Sequence, residues 1–473
     1  MKKTVLFLAA LSIVSCQQPD APRSVGQWDP FLDTLQQRTI QWFLDVTPRN
    51  TGLTPDRWSR TETLRDKPTP SPSSIAAVGF ALTVYPIAVE RGIITRDEAI
   101  ERTLTTLRFF WNSTQSPDAT GVTGYMGFYY HFIDMQMGHR EWQCELSSVD
   151  TGLLMMGALF AQSYYTQNMP AETEIRNLTD SLYRRIDWTY FTKDTTGLMM
   201  SWRPERGYNR WTWHGYNEAL FLYVLALGSP THPIGYEGYE HWLSTYKWKE
   251  HYGETLANFM PLFGHQYSHA WIDFRGIQDA FMEEKGIDYF ENSRRAAYVH
   301  RTYATQNPHQ WIDYSDSIWG LTACDGPKDT SFEVNGILRK FRSYSARGTG
   351  AEEEVDDGTI APTGAAGCVP FAPEIVIPAL KAMRNKYGDK LWTEYGFVDA
   401  FNPTYITPPT PNGWFDHDYL GIDQGPIVLM IENHRNGFVW DVMRKSKYIV
   451  EGLRKAGFTG GWLEEAEVAT QSR

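Results

Sequence analysis

The chain has 473 residues and a formal net charge of −12. That balance excludes a nucleic-acid partner, whose phosphates would be repelled. Trp and Tyr are abundant, at 18 and 26 residues, and such rings serve either core packing or stacking on sugars, so composition leaves those two uses open.

The chain begins with Lys2 and Lys3 and an apolar stretch, 5–13, too short to span a bilayer. Ile13-Val14-Ser15-Cys16 then reads as a lipobox, whose cysteine is acylated and becomes the mature N-terminus. Residues 1–16 are thus expected to be a lipoprotein signal. Residues 17–27, rich in Gln, Pro, Asp and Ser, form a flexible tether. Length alone would suggest about three domains, but no Gly/Ser or Pro-rich linker interrupts 30–456, so 28–473 is read as one domain. No later run reaches about eighteen apolar residues, which leaves the lipid as the expected membrane contact of an exported, periplasmic or outer-membrane protein. Cys144, Cys324 and Cys368 form neither a disulfide framework nor a CxxC metal site. One bridge or three buried thiols both fit.

Apolar periodicity predicts helices over 30–46, 72–91, 96–114, 146–166, 171–186, 215–228, 235–249, 270–283, 287–306, 370–387, 421–435 and 437–456. The segments 96–114, 171–186 and 437–456 carry charged faces and so present one side to water. Ile75 to Leu82, Leu153 to Phe160 and Ala219 to Leu227 are apolar nearly all round, as helices buried on every side are. Exposed and buried helices alternate, which predicts an all-α, α/α toroid of two concentric layers, with long loops and a β-hairpin near 335–346. The inner helices of a toroid run parallel, so their starts and preceding loops gather at one mouth. Loops on a rigid scaffold are where sites sit.

Three carboxylates share that setting. Asp150 opens one apolar helix, Glu218 another, and Asp423, with Pro426 in the first turn, a third. Glu145 stands just ahead of the first and Glu432 lies deeper in the third. Each acid taken singly could be a helix cap worth about 0.5–2 kcal/mol. Three together match glycosidic cleavage, which needs one protonated carboxyl for the leaving oxygen and one ionised carboxyl for water or the sugar. Trp142, Trp213, Trp319, Tyr267, His265, His269 and Arg275 are candidates for holding sugar.

His265 and His269 have the spacing of a zinc helix, but Gln266 stands where the glutamate of that motif belongs and no third ligand follows at a telling distance. They are read as sugar contacts or structural groups, and no metal or cofactor is expected. The acidic run Glu352-Glu353-Glu354, Asp356-Asp357 reads as a solvated loop, with a calcium loop as its rival. Asp56-Arg57, Asp273-Phe274-Arg275 and Asp325-Gly326-Pro327 could equally be salt bridges and turns.

Five motifs carry a resemblance: Ser74-Ile75-Ala76-Ala77-Val78-Gly79-Phe80, Gly127-Phe128-Tyr129-Tyr130-His131-Phe132, Ser148-Val149-Asp150-Thr151, Gly215-Tyr216-Asn217-Glu218-Ala219 and Tyr419-Leu420-Gly421-Ile422-Asp423-Gln424-Gly425-Pro426. Together they resemble the bacterial glucoamylase-like proteins of glycoside hydrolase family 144, from about residue 30 to 456. The resemblance implies an (α/α)6 barrel and endo-acting, inverting hydrolysis of β-1,2-glucan. It makes Glu218 the general acid, and Asp423, then Asp150, the base, with Glu145 and Asp418 behind. Tyr216, Asn217, Glu145 and Asp418 join the candidate substrate contacts, and a monomer acting on a glucan is expected. Two rivals stand beside this reading. A glycan-binding lipoprotein would keep the aromatics without turnover, and a polysaccharide lyase on the same toroid would want a basic cleft and a Tyr/His base.

Overall fold

The chain alternates between helices with one wet face and helices with none. In the computed structural model, which describes residues 28–59, 71–192 and 196–464, Ile75–Glu90 is buried at every position from Ile75 to Ala88. Ser148–Tyr164 is buried along most of its length, and Leu220–Gly228 throughout. Gly421–Asn436 belongs to the same inner set. Pro30–Val46, Arg96–Asn112, Pro170–Arg185, Tyr289–Gln306 and Pro373–Tyr387 bury one side only and wrap the outside. The result is a helical toroid. The lipobox, Cys16 and the tether lie outside the described residues.

Glycines set how close the inner helices approach. A Cβ on Gly157 would stand 1.9 Å from the Gly79 carbonyl oxygen, so these two helices cross backbone to backbone. A Cβ on Gly452 would stand 2.0 Å from the Val224 carbonyl, fixing Lys447–Lys455 against Leu220–Gly228 in the same way. Side-chain caps place the inner starts. Ser74 accepts from Ala77 N and Ser147 from Asp150 N, each satisfying a backbone donor of the first turn.

The strands are short and serve the mouth. Gly124–Tyr125, Phe128–Tyr130, Leu146–Ser147, Ser201–Arg203 and Gly207–Tyr208 form a five-stranded antiparallel sheet in that order, with Tyr130 opposite Leu146 and Leu146 opposite Trp202. Arg57–Ser59 pairs antiparallel with Asp418–Leu420, joining two distant loops just ahead of Asp423.

Several boundaries depart from the sequence expectation. The hairpin is Thr330–Val334 with Ile337–Phe341, turning at Asn335-Gly336, both at positive φ, as a two-residue hairpin turn requires. The expected helix 270–283 is two pieces, Tyr267–Trp271 and Ala280–Lys285. Gly276 at φ +72° interrupts the chain, and Asp279 caps the second piece. The last expected helix breaks into Phe438–Met443 and Lys447–Lys455. Tyr236–Ser244 ends early, and Trp248–His251 pairs as a strand with Glu254–Ala257. Cys144, Cys324 and Cys368 are buried free thiols. Only part of the acidic run is a solvated loop. Glu352 pairs with Lys247 and Lys249 at the surface, whereas Asp356 accepts from Tyr303 and Tyr314 and Asp357 is fully buried against Arg347.

Candidate active site

The first arm of the site grows from the five-stranded sheet. Pairing continues past the strand ends, with His131 N donating to Glu145 O at 3.0 Å, so the two side chains emerge together. His131 Nδ1 lies 2.9 Å from Glu145 Oε1, and His131 Nε2 lies 3.6 Å from Asp150 Oδ1. Arg203, from the neighbouring strand, donates to the other Glu145 oxygen at 2.9 Å. Ser147 both caps the helix and donates to Asp150 Oδ2.

These contacts set the charges. Burial alone would lower His131, but Asp150 and Glu145 outweigh it and push the imidazole up to about 9. Burial would raise Glu145, yet the bond and charge of His131, with Arg203, hold it down at about 2. Asp150 is raised by burial, with His131 and Ser147 pulling the other way.

Glu218 sits in a turn immediately before Leu220–Gly228, not within the helix that the sequence suggested. The turn is tightly held. Asn217 Oδ1 accepts from Ala219 N, Asn217 Nδ2 donates to His214 O, and Ser268 Oγ donates to Glu218 O at 3.1 Å. The carboxyl itself is left unbonded at Oε2, which is buried without a partner. Burial pushes Glu218 up to about 7, and the Asp150 charge adds to the rise. It is therefore substantially protonated at neutral pH, the state a general acid needs.

Asp423, in the first turn of Gly421–Asn436, heads the second arm, which is crowded with acids. Arg57 Nη1 lies 2.7 Å from Asp325 Oδ2 and 3.3 Å from Asp418 Oδ2, and its Nε lies 3.3 Å from Asp56. Asp325, Asp416 and Asp418 bring carboxylate oxygens within 4.8 Å of one another. Arg57 supplies a positive charge to this group, which is accordingly read as an arginine-centred ion cluster. Asp416 is pushed up to about 9 by burial and by Asp399, Asp325 and Asp418. Burial pushes Asp423 up to about 7 as well, with Asp325 and Asp56 adding to the rise and the Asp399 hydrogen bond and Arg57 charge opposing it.

Tyr267 ties the two arms together. Burial raises its phenol, and Asp423, Glu218 and Asp150 all add to the rise, so the three candidate carboxylates lie close enough to act on one phenol. Tyr344 feels Asp423, Asp399 and Asp56 while its side chain stays 53% exposed. Its ring therefore borders the acidic arm on the solvent side. Trp142 is 67% exposed on the rim and packs on Phe132 at 5.2 Å.

Other candidates lie elsewhere. Tyr216 is packed among Tyr246, His265 and Tyr289 in the core, and Asn217 is spent on the turn. His265 bonds to Phe259 O and His269 to Ser293 Oγ. Both are fully buried, and burial lowers them to about 4 and about 3, so they are neutral core groups rather than sugar contacts. Trp319 is 1% exposed, and Trp213 is buried with its indole N–H on Ser148 Oγ, bracing the start of the Asp150 helix. Arg275 stacks on Trp440 and pairs with Asp273 beside Gly437. Gly437 caps the far end of the Asp423 helix, about 24 Å along a helix of that length. Glu432, paired with Arg91 and Gln36, belongs to that far end too.

The sequence reading missed Arg203, Asp399, Asp416 and Tyr344, and gave His131 no role. Only His131 had a signal available, as the polar residue in an otherwise aromatic strand motif.

Comparison with known proteins gives the family. The Glycoamylase family model, described as "Putative glucoamylase", matches residues 210–447, which include Glu218, Asp325, Asp399 and Asp423. A solved structure of the same description from Bacteroides uniformis is 30% identical, covering 93% of this chain and 100% of that one with a TM-score of 0.78. The endo-β-1,2-glucanase of Chitinophaga pinensis, solved with sophorotriose and glucose, is 26% identical over 91% of this chain and 98% of its own, also at 0.78. The exo β-1,2-glucooligosaccharide sophorohydrolase (non-reducing end) of Parabacteroides distasonis is 27% identical over 90% of this chain. The chain spans only 58% of that relative's length. By family model and by fold, the chain belongs to the glucoamylase-like family.

Proposed function

We propose that this protein is a glycoside hydrolase that cuts β-1,2-linked glucan or its oligosaccharides, with inversion, in an (α/α)6 barrel. The observation that carries the reading is Glu218, whose buried Oε2 has no protein partner and whose carboxyl burial raises to about 7, so that a large share still holds its proton near neutral pH. It shares the surroundings of the Tyr267 hydroxyl with Asp423 and Asp150.

Glu218 gives its proton to the glycosidic oxygen as that bond breaks, and becomes a carboxylate. Asp423 takes a proton from a water attacking the anomeric carbon on the opposite face. An inverting pair is expected to stand about 6.5–9.5 Å apart, leaving room for that water. Asp150, held by the His131 cation, adds negative charge near Glu218 that keeps the acid protonated. Endo action is favoured because the relative of matching length is the endo-acting one, while the exo-acting relative extends well beyond the matched region. The motif at Ile13–Cys16 supports export as a lipoprotein, with residues 17–27 as tether, 28–473 as the catalytic domain, and a periplasmic or outer-membrane location.

Chromatography of products from residues 17–473 on β-1,2-glucan, beside other α- and β-glucans, tests the proposal. Short β-1,2-linked products from the wild type, absent with Glu218→Gln, are the expected result. If no glucan is cut, a glycan-binding role takes its place.

A further inference from the structure

Two buried oxygens beside the candidate base lack a hydrogen-bond donor. Asp399 is 2% exposed and Asp423 is 3% exposed, and neither Asp399 Oδ1 nor Asp423 Oδ2 meets a partner of ordinary donor type. The two side chains stand within hydrogen-bonding range of each other. The rest of Asp399 is committed. Its Oδ2 accepts from Asp325 N at 2.8 Å, and its own N–H donates to Asp418 O at 2.9 Å. The backbone bond fixes where the side chain starts, and the carboxyl cannot swing away from Asp423 without losing the bond from Asp325 N.

Two carboxylate anions in contact within a buried site repel strongly, whereas one proton between them makes a short, charge-assisted O–H···O bond. The surroundings decide which oxygen carries it. Asp56 and Arg57 act on the pair from the start of the strand paired with Asp418–Leu420, Asp325 from the loop after Cys324, Asp416 and Asp418 from the approach to the Asp423 helix, and the phenols of Tyr267 and Tyr344 from beside them. Burial, Asp325 and Asp56 disfavour an anion on Asp423, but the Asp399 hydrogen bond and the Arg57 charge oppose them there. Burial, Asp423 and Asp325 all disfavour an anion on Asp399.

We infer that Asp399 is carried as the neutral acid and donates its Oδ1–H to Asp423 Oδ2, so that it positions the base and keeps it ionised. The kinetic consequence rests on the hydrolase reading above; the shared proton does not.

Asparagine mimics a neutral aspartic acid at this site, with its carbonyl toward Asp325 N and its amide N–H toward Asp423. In the free enzyme at neutral pH, infrared difference spectra of wild type against Asp399→Asn should show the carbonyl stretch of one protonated carboxyl lost. In kinetics, Asp399→Leu should lower kcat by about a hundredfold or more with KM nearly constant, and move the acidic limb of the pH profile upward, since the bond that keeps Asp423 ionised is gone. Asp399→Asn should restore most of that loss, to within about tenfold of wild type. An unchanged infrared spectrum, or an Asp399→Asn enzyme as inactive as Asp423→Asn, would overturn the inference. The infrared result stands even where no glucan is cut, which separates failure of this inference from failure of the functional reading.

Discussion

The His131 imidazole lies 3.6 Å from the Asp150 carboxylate and hydrogen-bonds Glu145 on its other side. A cation held between two acids raises its proton affinity in the folded state, from the ordinary 6.5 to about 9. At 1.36 kcal/mol per tenfold change, that displacement is on the order of 3 kcal/mol.

The sign of this linkage is specific. A group whose folded pKa exceeds its unfolded value stabilises fully below the unfolded pKa and loses that contribution as pH rises through the folded one. Wild type should therefore exceed His131→Gln in stability most at pH 6 and below, with the gap closing by about pH 9. Thermal denaturation of both proteins at pH 5.5, 7.5 and 9.5 measures it. A gap that is constant across this range would mean that His131 is neutral in the fold.

Glu218 shares the sign of this linkage but not its cause, since here the protonated form is the neutral one. Its folded pKa of about 7 lies above the ordinary 4.5 because burial disfavours the anion. Its stabilising protonation is complete below pH 4.5 and is lost as pH passes 7. Glu218→Gln should be as stable as wild type at pH 4 and more stable at pH 8, by roughly 1–2 kcal/mol after allowing for solvent in the cleft. Wild-type turnover should fall as pH climbs through about 7. An equal denaturation midpoint at both pH values would argue against a desolvated Glu218.

The inner helices were legible because a helix apolar all round has only one place to go, as Ile75–Glu90 and Leu220–Gly228 show. Asp150, Glu218 and Asp423 stood out for the same reason, as acids at the entrances to such segments. Asp399 and Asp416 could not be found this way. They lie in short strands and loops, and only the Arg57–Ser59 to Asp418–Leu420 pairing and the fold around it bring them to Asp423. His269 and Arg275 misled because proximity in sequence to a buried helix says nothing about direction. Tyr267–Trp271 is five residues long, so His269 turns into the Phe274 and Phe371 cluster and Arg275 leaves at the opposite end.

Trp142 and Trp211 are 67% and 57% exposed, in loops that precede Asp150 and Glu218. Rings left so open near the cleft suit stacking on sugar. Contacts of this kind contribute about 0.5–1.5 kcal/mol. Replacing either Trp by Ala should raise KM for a glucan roughly two- to twelvefold, with a much smaller effect on kcat. Initial-rate kinetics over a series of chain lengths would show it. A loss confined to long oligosaccharides would place the ring far from the cut, and no change in KM would exclude it from the binding path.

Arg347 and Asp357 are both fully buried, with Nε 2.7 Å from Oδ1 and Nη2 2.9 Å from Oδ2. The guanidinium also donates to Cys324 O and Ser343 O, and Asp357 accepts from Arg342 N and Thr359 N. This single pair thus knits together the long loop region that carries Asp325 and Tyr344. Removing one partner strands a buried charge together with several backbone groups. Arg347→Met should cost about 3–5 kcal/mol in chemical denaturation. A double variant, Arg347→Met with Asp357→Leu, removes both charges and should lose less than the sum of the two single variants. Because Asp325 N–H holds Asp399, the single variant should also lose activity under conditions where its global fold persists. Full activity in a folded Arg347→Met protein would show that the loop keeps Asp325 in place without the pair.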